Sequence, residues 1–289
     1  MKVDVTPYRL VEGEALSLAD RPTEVEPVYE SKSDYRDILA KHVEALSGLQ
    51  ELLHRSASHA LLLVLQGMDT AGKDGAISHM MSGVNPQGCK VVSFKQPTAT
   101  ESLHDFLWRE TRELPERGVI GVFNRSYYEP VLVTRVHPKL LREDGVTDPH
   151  GDLDALWAER YRSIRDYERH LHANRTRFVK IFLHISKEEQ LKRLLERLDT
   201  PDKAWKASRA DAVEREYWKD YIKAYDRALG ETSVATAPWW VVPADDKRNA
   251  RLIVSQIVID TLESLNLTPP PIDADRKREL KEIRKMLEK

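Results

Sequence analysis

The run Gly67-Met68-Asp69-Thr70-Ala71-Gly72-Lys73-Asp74-Gly75 sets glycines, a lysine and two carboxylates within a few residues of one another. Glycine at Gly67, Gly72 and Gly75 lets the backbone curl, so that N–H groups around Ala71 and Gly72 can converge on one anion. Lys73 adds a full positive charge where a following helix would add a partial one. The spacing G-x-x-x-x-G-K is that of a Walker A phosphate loop, except that Asp74 stands where Ser or Thr is usual. Asp69 is a second carboxylate inside the loop. Two carboxylates beside phosphates repel them unless a divalent cation lies between. Hard oxygen ligands suit Mg²⁺ or Mn²⁺, held at least by Asp69, with Asp74 either directed at the metal or capping the helix.

A second group of candidates is Asn124-Arg125-Ser126-Tyr127-Tyr128-Glu129. A Walker B strand ordinarily ends in Asp; Asn124 is a neutral oxygen donor and leaves more of the metal's charge balance to Asp69. The planar fork of Arg125 can hold two phosphate oxygens at once. Further cations follow: Arg135, His137, Lys139 and Arg142, then Lys192, Arg193 and Arg197, and finally Lys203 and Lys206 around Trp205. The last set surrounds Thr200-Pro201, which breaks a helical pattern, and reads as a lid over about 193–210 that closes on a phosphate-bearing substrate. No Asn-Lys-x-Asp base reader lies downstream of the loop, which argues against a GTPase. His170 and His172 would face different sides of a helix and make a poor metal pair. No Gly-x-Ser-x-Gly supports acyl transfer, and the single cysteine, Cys89, reads as a packed thiol.

These residues need strands and helices to hold them. Leu61–Leu65 is an apolar run of buried-strand type, followed directly by the loop and by a helix from Lys73 to about Ser82. Strands are predicted at Lys90–Phe94, Val119–Phe123, Phe178–Ile185 and Trp239–Val242. Helices are predicted over 34–59, from Thr98 (with Glu101 completing a capping box) to about Leu114, over 152–172, from Lys187 to about Leu198, from Ser208 to Leu229 with Gly230 closing it, and from Asp245 to Leu265. This alternation is α/β: a five-stranded parallel sheet with helices on both faces and a helical lid. Residues 1–33 read as an extended arm over the surface, 34–268 as one phosphate-loop domain, and 269–289, after Pro269-Pro270-Pro271, as a charged tail helix.

The 289 residues carry 45 Lys plus Arg against 47 Asp plus Glu, a formal charge of −2. Bulk charge therefore holds the chain to neither nucleic acid nor lipid, and a polyanion must meet a local basic patch. No apolar stretch approaches the ~20 residues of a membrane span, and Met1-Lys2-Val3-Asp4 does not open a signal peptide. One cysteine excludes a disulfide scaffold, and a cytoplasmic protein is expected.

Three segments together, Gly67–Gly75, Phe123–Glu129 and Leu198-Asp199-Thr200-Pro201-Asp202-Lys203-Ala204-Trp205-Lys206, resemble the polyphosphate kinase 2 family. The likeness runs from the helix at Asp34 to the helix ending near Leu265. It implies a thymidylate-kinase-like P-loop fold and reversible transfer of the terminal phosphate of inorganic polyphosphate to a nucleotide, with Mg²⁺ or Mn²⁺. It further implies that Asp69 binds metal and orients the acceptor phosphate, and that Lys73 holds polyphosphate. By the same likeness Asn124 and Arg125 sit at the transfer point, and lid cations such as Arg193 and Arg197 clamp from above. The Phe-Asn-Arg-Ser-x-Tyr-Glu form is similar to the group acting on both AMP and ADP, although Pro130 replaces an acidic residue expected after Glu129. A homo-oligomer, dimer or tetramer, is implied as well. The competing readings are an ATP-dependent nucleoside monophosphate kinase of the same fold and a non-catalytic polyphosphate or nucleotide binder.

Overall fold

Strand β1 (Ala60–Gly67) is buried along its whole length, as an unbroken apolar run demands of a strand covered on both faces. In the computed structural model, which describes residues 2–142, 145–146, 151–205 and 207–288, four strands flank it. They are β2 (Cys89–Ser93), β3 (Ile120–Asn124), β4 (Thr176–His184) and β5 (Trp239–Pro243). All pair in parallel, in the order β2-β3-β1-β4-β5. The chain leaves β1 towards one edge and later returns to build the other, so the carboxyl end of β1 lies where ligands collect in such sheets. The register sets Leu65 beside Asn124 and Gly67 beside Leu183, which brings the phosphate loop and the Asn124-Arg125 pair to the same end.

The helices are α1 (Lys32–Ser56), α2 (Lys73–Met80), α3 (Trp108–Arg112), α4 (Glu129–Val136), α5 (Leu153–Ala173) and α6 (Lys187–Asp199), then α7 (Pro201–Ala204), α8 (Arg209–Glu214), α9 (Trp218–Thr232), α10 (Lys247–Ser264) and α11 (Ala274–Leu287). Helices α1 and α2 each pack against α10, and α4, α5 and α9 pack with one another, giving one layer for each face of the sheet. Residues 2–30 do more than lie on the surface. They sink Val3, Val5, Leu10 and Leu18 into the main core, and Leu10 N–H donates to Trp239 O at 2.9 Å, beside β5.

Two expected helices differ. The Thr98–Glu101 capping box forms, with reciprocal bonds of 2.7 and 3.3 Å, but closes only a short 3₁₀ turn over Glu101–Leu103. Leu103 there is exposed. Without a repeating apolar side the segment has nothing to bury, and the α-helix waits until Trp108. The helix expected over 208–229 is broken at Arg215–Tyr217 into α8 and α9. Gly230 does not close α9, which continues to Thr232. The extra turn is held because Lys180 Nζ donates to Thr232 O at 2.9 Å.

That lysine belongs to a polar knot inside the core. Lys180, on β4, is fully buried and pairs with buried Glu168 of α5 at 2.7 Å. Glu168 Oε1 also accepts from the hydroxyls of Tyr127 and Tyr128, each at 2.9 Å. A buried ion pair is tolerated when every lone pair finds such partners. Its effect here is positional: the two tyrosines that follow Arg125 are tied to β4, α5 and α9 at once.

Candidate active site

The phosphate loop opens as a left-handed turn. Gly67 has φ 154°, and a Cβ there would lie 2.9 Å from Leu183 O. Gly72, at φ 107°, precedes α2. Both positions exclude a side chain on steric grounds. Among the described residues no side chain caps α2, so its first-turn N–H groups are left for an anion. Lys73 folds back over the loop and donates to Gly67 O at 2.6 Å and Met68 O at 3.3 Å. Burial lowers its pKa, and the nearby Asp69 carboxylate opposes that.

Arg125 follows β3 with φ 64°, an unusual conformation for a residue with a side chain and a common mark of functional sites. Its guanidinium meets Asp69 at 3.2 Å. Burial works against the charge, but Glu129 and Asp69 outweigh it and raise the Arg125 pKa. Glu129 in turn accepts from the buried Gln66 side chain at 3.2 Å. Asn124 Nδ2 donates to Asp74 Oδ1 at 2.6 Å.

Two clefts meet here. One, of 400 Å³, runs along Thr70, Gly72, Lys73 and Asp74 and is walled by Arg193, Arg197 and Lys247. The other, of 410 Å³, is lined by Met68, Glu129, Arg215, Tyr221 and Tyr225. Asp69, Arg125 and Asp211 border both. Burial, helped by Glu129, pushes the Tyr225 phenol well up, and burial with the Glu214 bond does the same for Tyr221. Both rings are therefore neutral walls that retain their donors.

The predicted residues are not all placed as expected. Arg193 is buried and does not reach into the cleft as a clamp. Its guanidinium bonds Glu189 and the carbonyls of Thr70, Ala71, Ala244 and Asp245 at 2.6–3.1 Å. It fastens the phosphate loop to the start of α10, because so many carbonyls turned inward require a multidentate donor. Arg135 lines neither cleft; it lies over the Trp157 ring at 5.6 Å. Arg197 does border the phosphate cleft, tied to Asp211 of α8 at 3.0 Å. Lys206 and the Lys203 side chain lie outside the described residues. Sequence reasoning missed Lys247, Arg215, Tyr221 and Tyr225. Lys247 carried a usable signal, since a cation in the first turn of a helix opposes the dipole and calls for an anionic neighbour. The tyrosines, four residues apart on an amphipathic helix, are indistinguishable from core residues in sequence.

No cluster of three or more His, Cys, Asp or Glu side chains able to hold a metal occurs among the described residues. Asp69 and Asp74 alone fit Mg²⁺ in the way that ion is commonly bound, through one or two carboxylates plus substrate phosphates. Cys89 is half-buried, and burial pushes its thiol up to about 11, so it is no nucleophile. No helix among the described residues is long and apolar enough to cross a membrane.

Comparison with known proteins bears on this arrangement. The family model of polyphosphate kinase 2 matches residues 29–269. The ADP-polyphosphate phosphotransferase of Rhodopseudomonas palustris is 56% identical over 287 residues, 99% of each chain. The AMP/ADP-polyphosphate phosphotransferase of Meiothermus ruber is 44% identical over 233 residues, 80% of this chain and 83% of that one. The crystal structure of polyphosphate kinase 2 from Arthrobacter aurescens superposes with a TM-score of 0.84 at 43% identity, covering 95% of this chain and 94% of the other. With a glycine-rich loop, a strained arginine and two clefts converging between them, this chain belongs to the polyphosphate kinase 2 family.

Proposed function

We propose that the protein transfers the terminal phosphate of inorganic polyphosphate to AMP and ADP, and does so reversibly. The observation that carries this reading is the meeting of two clefts at Asp69 and Arg125. A phosphate polymer needs a cationic groove without a base pocket, which the Lys73, Arg197 and Lys247 side offers. A nucleotide needs aromatic and neutral walls beside a phosphate anchor, which the Tyr221, Tyr225 and Arg125 side offers. The acceptor phosphate and the terminal phosphate of the polymer would then face each other across Arg125.

Phosphoryl transfer asks little covalent chemistry of the protein; alignment and charge neutralisation do most of it. Lys73 leaves its loop carbonyls for the polymer, and Arg125 exchanges Asp69 for phosphate oxygens as negative charge builds between the substrates. Asn124 and the loop N–H groups keep the donor in line. Asp69, with Asp74 beside it, would hold a divalent cation jointly with substrate phosphates; Mg²⁺ or Mn²⁺ would supply charge neutralisation there. Arg215 and the Arg197–Asp211 pair lie on the lid side and would exclude water on closing. A cytoplasmic setting, where AMP and ADP are at hand, and an assembly of two or four copies belong to the same reading.

The test is incubation with polyphosphate, Mg²⁺ and either AMP or ADP, with no ATP present. Formation of ADP and ATP is expected. If neither acceptor is phosphorylated while AMP plus ATP yields ADP, the protein is instead an ATP-dependent monophosphate kinase.

A further inference from the structure

Helix α6 meets the phosphate loop with polar side chains. Gln190 and Arg193, both buried, hold the carbonyls of successive loop residues. Gln190 Nε2 donates to Asp69 O at 3.2 Å, and Arg193 Nη1 donates to Thr70 O and Ala71 O at 3.0 and 3.1 Å. Thr70 has φ 64°, a left-handed conformation that a residue with a branched side chain keeps only when its surroundings impose it. In a planar trans peptide the N–H of the next residue points away from the carbonyl. Carbonyls of Asp69 and Ala71 turned to α6 therefore aim the N–H groups of Thr70 and Gly72 to the other side, and both residues line the phosphate cleft.

The other end of the Gln190 amide is used at the tyrosine-lined cleft. Its Oε1 accepts from Arg215 Nη1 at 2.9 Å, and the same nitrogen donates to Lys187 O at 2.7 Å. Arg215 opens the turn Arg215–Tyr217 between α8 and α9 and lines that cleft together with Gln190. Among the described residues Nε and Nη2 of Arg215 make no hydrogen bond, so both are left for a ligand. A lysine or arginine in place of Gln190 would hold Asp69 O at least as well but would repel Arg215. A primary amide offers a donor to the carbonyl and an acceptor to the guanidinium from one rigid plane.

We infer that Gln190 is a positioning residue that couples the two clefts, so that an acceptor nucleotide held by Arg215 sets the phosphate loop for polyphosphate. This inference rests on the reading that the phosphate cleft takes the polymer and the tyrosine-lined cleft the nucleotide. A phosphate group on Arg215 fixes that guanidinium, the guanidinium fixes the amide plane, and the amide fixes Asp69 O and the Thr70 turn. The polymer then meets a loop that is already ordered, and binds more tightly. Linkage makes the effect mutual, and polyphosphate tightens nucleotide binding by the same factor. Gln190 acts through Asp69 and Arg215 rather than on either substrate.

Initial rates over a grid of AMP and polyphosphate concentrations, at saturating Mg²⁺, test this coupling. In wild type the polyphosphate KM is expected to fall about fivefold or more between trace and saturating AMP. Gln190→Leu removes both ends of the bridge; Gln190→Glu keeps an acceptor for Arg215 but loses the donor to Asp69 O. Each is expected to bring the ratio of the two KM values below about two. A purely structural glutamine would lower the melting temperature and kcat on substitution and leave the ratio as in wild type. Should the leucine variant lack a melting transition, the glutamate variant, of the same size, decides. A wild-type ratio near unity overturns the inference, as does a folded variant that keeps the full ratio. A chain that makes no ADP or ATP from polyphosphate fails the proposed reaction and the coupling with it, whereas an active chain with a ratio near unity fails the coupling alone.

Discussion

Asn124 donates from Nδ2 to Asp74 Oδ1 at 2.6 Å, joining the two positions at which this chain departs from the usual P-loop pattern. The usual Ser or Thr after the lysine and the usual Asp after the strand have been replaced together. An Asp at 124 would place a second carboxylate against Asp74, whereas the Asn amide turns the same contact into a charge-assisted hydrogen bond. The alternative left open for Asp74, metal or cap, thus gains a third member: its carboxylate is held towards β3 and faces the phosphate cleft.

Asn124→Asp is therefore expected to lower turnover at low Mg²⁺ and to destabilise the apo protein by about 0.5–1.5 kcal/mol, the scale of a hydrogen bond that water can replace. Exchanging the pair, Asp74→Asn with Asn124→Asp, should recover most of that stability. Chemical denaturation of the three variants checks this, and additive losses would show the two residues to be uncoupled.

Lys73→Ala should remove roughly 3–4 kcal/mol of transition-state stabilisation, a loss of about 10²–10³ in rate. Stability should change little, because the carbonyls of Gly67 and Met68 that Lys73 now bonds can turn to water in a half-open cleft. Single-turnover rates and melting curves on one preparation separate the two effects. Wild-type rates would remove Lys73 from the mechanism.

Arg193→Ala is expected to behave as a folding variant. It strands four carbonyls and unpins the phosphate loop, at a cost of about 2–4 kcal/mol. The denaturation midpoint should fall, and activity should fall with it. A phosphate clamp would behave differently: polyphosphate KM would rise at high salt-sensitivity while the midpoint stayed where it was.

Glu110 provides a pH signature. Its side chain is fully buried, and burial pushes the carboxyl up to about 7, with the neighbouring Arg109 pulling the other way. The folded state therefore holds the proton more tightly than the unfolded chain, whose value is near 4.5. That stabilisation is complete below about 4.5 and is lost as pH rises through about 7, by on the order of 3 kcal/mol. Melting temperature measured from pH 5 to 8 should decline, and Glu110→Gln should flatten the decline. An identical slope in the variant would assign the pH dependence to other groups.

Much of this protein is legible in its residues because the informative segments act locally. The apolar run at Leu61–Leu65, the glycines at 67 and 72 and the lysine after them fix strand, turn and helix within a dozen residues, and backbone sterics alone dictate the result. The alternation of such segments was enough for the parallel sheet, since crossover connections admit few other arrangements. That Asp69, Lys73, Asn124 and Arg125 would lie together was legible for the same reason: they sit at the ends of two adjacent strands.

What the amino-acid order could not decide is where long side chains spend their hydrogen bonds once distant elements meet. Arg193 reads as one cation among several, and only packing of α6 against the phosphate loop and α10 turns it inward to carbonyls more than a hundred residues away in one direction. Lys180 reads as a polar position in a strand, until α5 and α9 enclose it with Glu168 and two tyrosines. Tyr221 and Tyr225 become a cleft wall because α9 is broken from α8 and aimed at Arg125. Local propensity and spacing set the elements and the chemistry at their ends. The partners of buried charges are chosen by tertiary burial, since the penalty for leaving such a group unpaired exists only once water is gone.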